Sequence, residues 1–273
     1  MSKPSRLLTF LDEKNGFSIS IFDGRELIAE LAVLNHLQGK GFEYFRDAVL
    51  TALPMTSFFK TGEGFGLYID SDQPYFRLKI EANAAGNMRT LLLPENFIEF
   101  PEKISGQGRL TKISGHSPYT SVIPLNNISF HQVVNNILRD SYQVQSEIRL
   151  VHNADFSVFL MKLPNLNYNQ EELSKRLNLP EYWMKHQAAF NVILGSNPEE
   201  ETIIKEMKNL GFEYLTGRDI QFNCPCSKER MVLGLKGIRS SSHDELFEPG
   251  KDELTAHCDY CKKDYIITKS DLA

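Results

Sequence analysis

All four cysteines of the chain lie in its final fifth, and they fall into two tight pairs. One residue separates Cys224 from Cys226, two residues separate Cys258 from Cys261, and 31 residues lie between the pairs. Zinc prefers four thiolates in a tetrahedron, and a close pair of cysteines supplies two of them from one turn. The intervening chain is long enough to bring the second pair back to the first. The spacing therefore predicts a four-cysteine zinc site that constrains the fold around it.

The chemistry of these thiols depends on the compartment in which the protein resides. The amino-terminal residues contain no apolar stretch of signal-peptide length, because Asp12 and Glu13 interrupt it. No uncharged apolar stretch approaches the ~20 residues that a membrane helix requires. We therefore expect a cytoplasmic protein that does not interact with membranes. Cytoplasmic thiols are reduced by default, so clustered cysteines favour metal binding or redox chemistry over structural disulfides.

The charge of the chain argues against nucleic-acid binding. The net charge is −5 and the isoelectric point is about 5.8. Contacts with phosphate groups need clustered lysine and arginine side chains, and the sequence has no strongly basic run. We therefore expect no nucleic-acid partner, although a zinc-ribbon nucleic-acid module is one alternative that a four-cysteine site allows.

The region upstream of the cysteines predicts an α+β domain with a large sheet. Phe17, Ile19 and Ile21 alternate with serines, which indicates a half-buried strand. Helical spacing is found at 26–37, 42–53 and 127–138. Further runs of strand character lie at 67–69, 76–80, 89–93, 120–125, 147–151 and 156–163. Mixed helices and strands of this kind are typical of a domain built on one large sheet.

From residue 169 to residue 211 the strand pattern disappears and three short helices are predicted. The first has a capping pattern at Asn169, and the second opens at Pro180. The third carries Glu199 to Glu201 in its first turn, where the helix dipole favours negative charge. Helices this short are marginal in isolation, so we expect them to depend on docking against a neighbour. The predicted domains are residues 1–166, a helical linker at 167–220 and a zinc-binding domain at 221–273.

Three large aromatic residues, Tyr182, Trp183 and Phe190, lie in the predicted linker helices. Their simplest role is packing onto the first domain. A second role is contact with other proteins if these helices leave that domain. The two roles are compatible, because an apolar face that is covered in one state becomes an exposed binding surface in another.

The cysteines themselves leave two interpretations open, a purely structural zinc site and a redox site. Zinc keeps its ligands deprotonated, and an oxidant converts a thiolate to a sulfenic acid that a neighbouring thiol resolves into a disulfide. Proximity in the sequence would pair Cys224 with Cys226 and Cys258 with Cys261. Zinc would then leave, and with it a folding free energy of ~10–16 kcal/mol. A small domain that loses this contribution is expected to unfold.

The cysteine region resembles a known family at specific motifs. The resemblance is carried by FNCPCSKER at 222–230, by ELTAHCDYC at 253–261 and by Tyr265. These residues are similar to the thirty-three-kilodalton heat-shock chaperonin family (HslO), the redox-regulated holdases. The family pattern is Cys-x-Cys followed by serine and an arginine-bearing helix, then an acidic Cys-x-x-Cys before an aromatic strand. The resemblance is strongest over residues 212–272.

This resemblance implies a stress-response chaperone. In the family, the reduced protein holds Zn²⁺ on the four cysteines and is an inactive monomer. Oxidative stress forms two disulfides, releases zinc and unfolds the linker. The protein then captures unfolding proteins without ATP, often as a homodimer. The resemblance therefore identifies the four cysteines as both the metal ligands and the redox-active centre.

Two further alternatives compete with the redox-regulated holdase. One is a constitutive binding protein whose zinc site is purely structural. The other is an enzyme of the first domain, although the sequence has no Gly-x-Ser-x-Gly, His-Glu-x-x-His or phosphate-loop motif. We therefore expect no catalytic residues. His257 precedes Cys258 directly, but four thiolates already complete a zinc shell, so we expect this histidine to lie outside it.

Overall fold

The computed structural model describes residues 4–73, 75–95, 103–114, 118–164, 176–238 and 246–272. The chain divides into two compact units. We refer to residues 1–222 as the body and to residues 223–273 as the cysteine module. Among the described residues, no helix has the length and apolar character needed to cross a membrane.

The body is built on one mixed sheet that contains ten of the described strands. Its spatial order is β7-β6-β3-β4-β5-β10-β1-β2-β9-β8, and every neighbouring pair is antiparallel except β10 and β5. The strands are β1 (Ser5–Asp12), β2 (Phe17–Asp23), β3 (Gly64–Gln73), β4 (Tyr75–Asn83), β5 (Asn87–Leu93), β6 (Ile104–Ile113), β7 (Tyr119–Ile128), β8 (Ser146–Leu150), β9 (Phe156–Lys162) and β10 (Glu213–Phe222).

Helices flank this sheet, and the predicted α+β class is confirmed. The helices found in the described part of the body are α1 (Arg25–Leu34), α2 (Gly39–Ala52), α3 (Phe130–Asp140), α4 (Leu179–Gly195) and α5 (Glu200–Asn209). A 3₁₀ segment, Leu53–Phe58, extends α2. The helix that opens at Pro180 begins one residue earlier, because the Asn178 side chain accepts from the backbone N–H of Glu181 at 2.9 Å. The first predicted linker helix, at Asn169, lies outside the described residues.

Two apolar cores occupy opposite faces of the sheet. In β1, Leu7 belongs to the first core, whereas Leu8 and Phe10 belong to the second. Successive side chains of a strand point to opposite faces, so one strand serves both cores. The first core lies against α1, α2 and α3. The second core, which we call the linker core, lies under α4 and α5 and includes Tyr182 and Phe190.

The main departure from the sequence prediction is strand β10. The predicted helical linker extended to residue 220, but residues 213–220 belong to a strand of the sheet. Its backbone pairs with β1 on one side and with β5 on the other. The local sequence is mostly polar, so the strand is fixed by partners distant in the chain and not by its own pattern. Strands β1 and β6 were also not predicted.

The cysteine module has its own small architecture. It contains α6 (Lys228–Lys236), β11 (Glu253–His257), β12 (Asp264–Thr268) and the short α7 (Lys269–Leu272). Strands β11 and β12 form an antiparallel hairpin. The described part of the module buries three apolar side chains in its core, Phe247, Ile267 and Leu272. Its remaining apolar side chains in this core are only partly buried.

Candidate metal centre

The second cysteine pair lies in the turn that joins β11 to β12. Cys258 directly follows β11, and its backbone N–H donates to the Lys263 carbonyl at 2.9 Å. The Lys262 N–H donates to the Cys258 carbonyl at 2.8 Å, and Lys262 has a φ of 61°. This left-handed residue tightens the turn, so Cys261 is brought back beside Cys258.

The first pair lies immediately before α6. Ser227 caps this helix, because its side chain accepts from the Arg230 N–H at 3.3 Å. The Arg230 guanidinium then reaches back and donates to the Pro225 carbonyl at 2.9 Å. The helix therefore holds the short loop that carries Cys224 and Cys226. This explains why a serine and an arginine follow the first cysteine pair.

The two pairs converge. All four sulfur atoms lie within 4.8 Å of one another, and all four thiols are free. The Sγ atoms of Cys224 and Cys258 are 3.7 Å apart, and those of Cys226 and Cys261 are 3.2 Å apart. Four sulfurs at ~2.3 Å from one tetrahedral zinc ion would be about 3.8 Å apart. The arrangement thus fits a metal ion of the type predicted from the sequence, and these four residues could hold it.

Three of the thiols differ in their acid–base behaviour. Burial raises the pKa of Cys224, and burial together with its contact to Cys226 raises the pKa of Cys261 to about 12. Burial also acts to raise the pKa of Cys226, but hydrogen bonds from Tyr265 and Cys261 outweigh it and lower the value to about 7. Of these three sulfurs, Cys226 is therefore the one whose thiolate the surrounding hydrogen bonds favour. A bound cation would favour the thiolate at all four positions.

Tyr265 is a site residue whose role the sequence did not reveal. Its hydroxyl lies 3.0 Å from the Cys226 sulfur, and this contact raises the pKa of the tyrosine. Tyr265 and Ile267 share one face of β12, because they are two residues apart in a strand. That alternation was the available signal, since it predicts that Tyr265 points toward the buried side of the hairpin.

His257 lies outside the sulfur cluster. It is exposed, and its Nδ1 atom is 2.7 Å from the Asp264 carboxylate across the hairpin. The group of residues that could hold a metal contains the four cysteines without this histidine. His257 therefore contributes a cross-strand polar pair.

The aromatic residues predicted for the linker pack onto the sheet of the body. Tyr182 is fully buried, stacks on Phe17 with ring centroids 3.9 Å apart, and donates its hydroxyl to Asp12 at 2.9 Å. Phe190 is also fully buried, whereas Trp183 is partly buried against the same core. Binding of clients by these residues stays a prediction. Phe17 and its neighbours on the sheet side of the linker core were not identified from the sequence.

Comparison with known proteins agrees with the motifs and the fold. The model of the Hsp33 protein family matches residues 5–268 of the chain. A 33 kDa chaperonin of Acholeplasma laidlawii is 26% identical over 247 residues, which cover 82% of this chain and 82% of that protein. A 33 kDa chaperonin of Aquifex aeolicus is 25% identical over 250 residues, which cover 82% and 74% of the two chains.

A solved structure has a similar fold. The crystal structure of a 33 kDa chaperonin from Thermotoga maritima superposes with a TM-score of 0.76. The superposition covers 99% of this chain and 97% of that chain, at 16% sequence identity. At this identity the likeness establishes the fold.

Proposed function

The chain belongs to the Hsp33 protein family, and we propose that it is a holdase chaperone that oxidation switches on. The family supplies the chaperone role and is not a class of enzymes. The redox switch, the release of zinc and the unfolding of the linker are the parts that we propose for this chain. Its partners would be unfolded or partly unfolded proteins, bound without ATP in the cytoplasm.

One observation carries the proposal, namely four free thiols within 4.8 Å of one another in a module with a very small core. The three apolar side chains that are buried in the described part of the module are too few to stabilise a unit of this size by burial alone. Zinc bound to Cys224, Cys226, Cys258 and Cys261 would keep the thiolates deprotonated and supply the missing folding free energy. The same sulfur atoms are open to oxidation, so the stability of the module depends on their redox state.

The chemical step is oxidation of two dithiols. Each pair of thiolates gives up two electrons to one molecule of hydrogen peroxide, which takes two protons from solvent, so the step yields one disulfide and two water molecules. The proposed disulfides are Cys224–Cys226 and Cys258–Cys261. Since all four sulfurs are mutually close, the reduced geometry is compatible with this pairing and with pairing between the two motifs, Cys224 with Cys258 and Cys226 with Cys261. Peptide mapping of the oxidised protein distinguishes the two.

The consequence for the linker follows from the order of the chain. Strand β10 ends at Phe222, two residues before Cys224, and α4 and α5 precede that strand. Unfolding that spreads from the module through β10 would remove the cover of the linker core. The surface available to clients would then comprise Tyr182, Trp183 and Phe190 together with Phe10 and Phe17 from the sheet.

The test compares the reduced, zinc-loaded protein with the same protein after treatment with peroxide and mild heat. Suppression of thermal aggregation of a client should rise strongly after oxidation, and reduction should reverse it. A chromogenic chelator should report zinc release over the same time course. Equal suppression in both states, with zinc released, would instead support a constitutive binding protein with a purely structural zinc site.

Oligomeric state gives a second readout of the same proposal. We propose a monomer in the reduced form and a homodimer in the oxidised form. Light scattering of both forms at equal concentration measures this directly. If the molecular mass did not change on oxidation, the proposed dimer would be wrong, and any client binding by the oxidised protein would be a property of the monomer.

A further inference from the structure

One buried histidine of the linker core has no role in the redox step. His186 lies on α4, and 9% of its surface is exposed. Its ring packs among three aromatic rings, with centroid distances of 4.6 Å to Tyr182, 5.9 Å to Phe190 and 5.3 Å to Phe212. The Nε2 atom is buried and has no hydrogen-bond partner. The neutral ring tolerates this environment because it behaves there as one more aromatic side chain.

The charged groups around His186 do not offer an acceptor for a second ring proton. Lys185, on the same helix, opposes a positive charge on the ring, whereas Asp12, at the end of β1, favours it. The Asp12 carboxylate already accepts from the Tyr182 hydroxyl and from the backbone and side-chain nitrogens of Asn15. Tyr182 faces His186 with its ring, and Phe190 and Phe212 carry no titratable group.

We propose that His186 is an acid-sensitive latch, whose protonation releases α4 from the sheet. Whichever nitrogen takes the added proton, the charged ring carries an N–H donor at the buried Nε2 atom, which has no hydrogen-bond partner. A buried charge without a partner is strongly unfavourable, and the helix can hydrate the ring only by leaving the linker core. The released state of α4 therefore binds a proton at His186 more tightly than the docked state does.

The direction of the pH dependence follows from the docked environment. Burial, assisted by Lys185, lowers the pKa of His186 in the docked state, and Asp12 only partly compensates. In the released helix the ring regains its ordinary pKa of ~6.5. Docking is therefore most stable above about pH 6.5 and weakens as the pH falls from there toward the docked pKa. Each unit by which docking lowers the pKa changes the docking equilibrium about tenfold.

The consequence for clients rests on the proposed function, because acid would uncover the same surface that oxidation is proposed to uncover. It would do so with the thiols still reduced. The latch itself depends only on the packing of α4 within the body. Its test can therefore fail while the redox switch stands.

The experiment measures hydrogen exchange across 179–209 in the full, reduced, zinc-loaded chain between about pH 7.5 and about pH 5.5, a range that spans the ordinary histidine pKa. Rates are corrected for the pH dependence of intrinsic exchange. Trp183 is the sole tryptophan of the chain and lies on α4, so its fluorescence gives an independent signal. Wild type should lose protection in this segment at the acid end, with strands β3 and β4 unchanged.

Two variants remove the titrating ring. His186→Phe keeps an aromatic side chain, and His186→Gln keeps a polar one, so one of them reports even if the other folds poorly. Both should show a nearly flat pH response. His152→Gln is the matched control, because His152 is exposed, and it should respond as wild type does.

Zinc content and thiol count are measured in every sample, because acid also protonates metal ligands. The proposal is overturned if both His186 variants lose protection as wild type does, or if wild type loses none. It is also overturned if loss of protection follows zinc release in all proteins alike.

Discussion

The body and the cysteine module show two ways of holding a fold together. The body has apolar cores on both faces of a wide sheet, and residues such as Phe10, Phe17 and Phe190 are fully buried. The module has three buried apolar side chains in its described part and four converging sulfurs. A fold that rests on burial is insensitive to thiol chemistry, whereas a fold that rests on sulfur ligands depends on it. The difference predicts that a chemical change at the sulfurs would affect the module and leave the body intact.

Metal removal should separate the two units most clearly. A strong chelator, or the substitution Cys258→Ser at the buried cysteine, should unfold the module, because metal binding contributes ~10–16 kcal/mol in small zinc domains. The sheet of the body should persist. Hydrogen exchange measures both in one experiment, with protection lost at 253–268 and retained in β3 and β4.

Ser227→Ala is the control for this experiment. It removes the cap of α6 in the same module and should cost about 1 kcal/mol without loss of metal. If the chelated module kept its protection, the small core would be sufficient, and the contrast between the units would be wrong.

The linker core can be weakened without touching the metal. Phe190→Ala removes a fully buried ring and should destabilise the docking of α4 by ~3–5 kcal/mol. We expect this variant to suppress client aggregation while reduced, with four thiols and bound zinc intact. Val192→Ala is the matched control, because Val192 lies two residues further along α4 and is 75% exposed. This substitution should change the free energy of unfolding by less than ~0.5 kcal/mol.

A reduced Phe190→Ala protein that exposes α4 but does not bind clients would contradict the assignment of the client surface. It would leave the redox dependence of the module intact. The measurement pairs exchange at 179–195 with the aggregation assay, so exposure and binding are read separately.

The cysteine site was largely predictable from the sequence, and the linker only in part. The four cysteines that converge were grouped as a candidate metal site from spacing alone, because each close pair must lie in one turn. Tyr265 was missed as a partner of Cys226, because strand alternation indicates which face of the hairpin its side chain occupies but not which sulfur it contacts. The linker helices were found from Pro180 and the acidic first turn at Glu199 to Glu201, which are local signals.

What the sequence could not give are the features set by distant partners. Strand β10 is polar along most of its length and exists because β1 and β5 pair with it. The two-sided role of β1, with Leu7 in one core and Phe10 in the other, also depends on which helices cover each face. Local periodicity fixes a secondary structure only where burial on one face is consistent along the element.

The smallest expected effect tests whether charge contributes to linker docking. The Arg6 guanidinium on β1 donates to both carboxylate oxygens of Glu200 on α5, at 2.8 and 3.0 Å, and it also pairs with Asp219. Both side chains of the Arg6–Glu200 pair are about a quarter exposed, so Glu200→Gln should cost at most about 1 kcal/mol. Urea unfolding followed by Trp183 fluorescence measures this cost, and high salt should reduce it because salt screens the pair.

Glu201→Gln, in the same helical turn but exposed, is the matched control and should have almost no effect. If Glu200→Gln released α4 and α5 as fully as Phe190→Ala, docking would rest on a charge pair. The docking of these helices would then depend on salt concentration, and the contrast between a body held by burial and a module held by its sulfurs would be wrong.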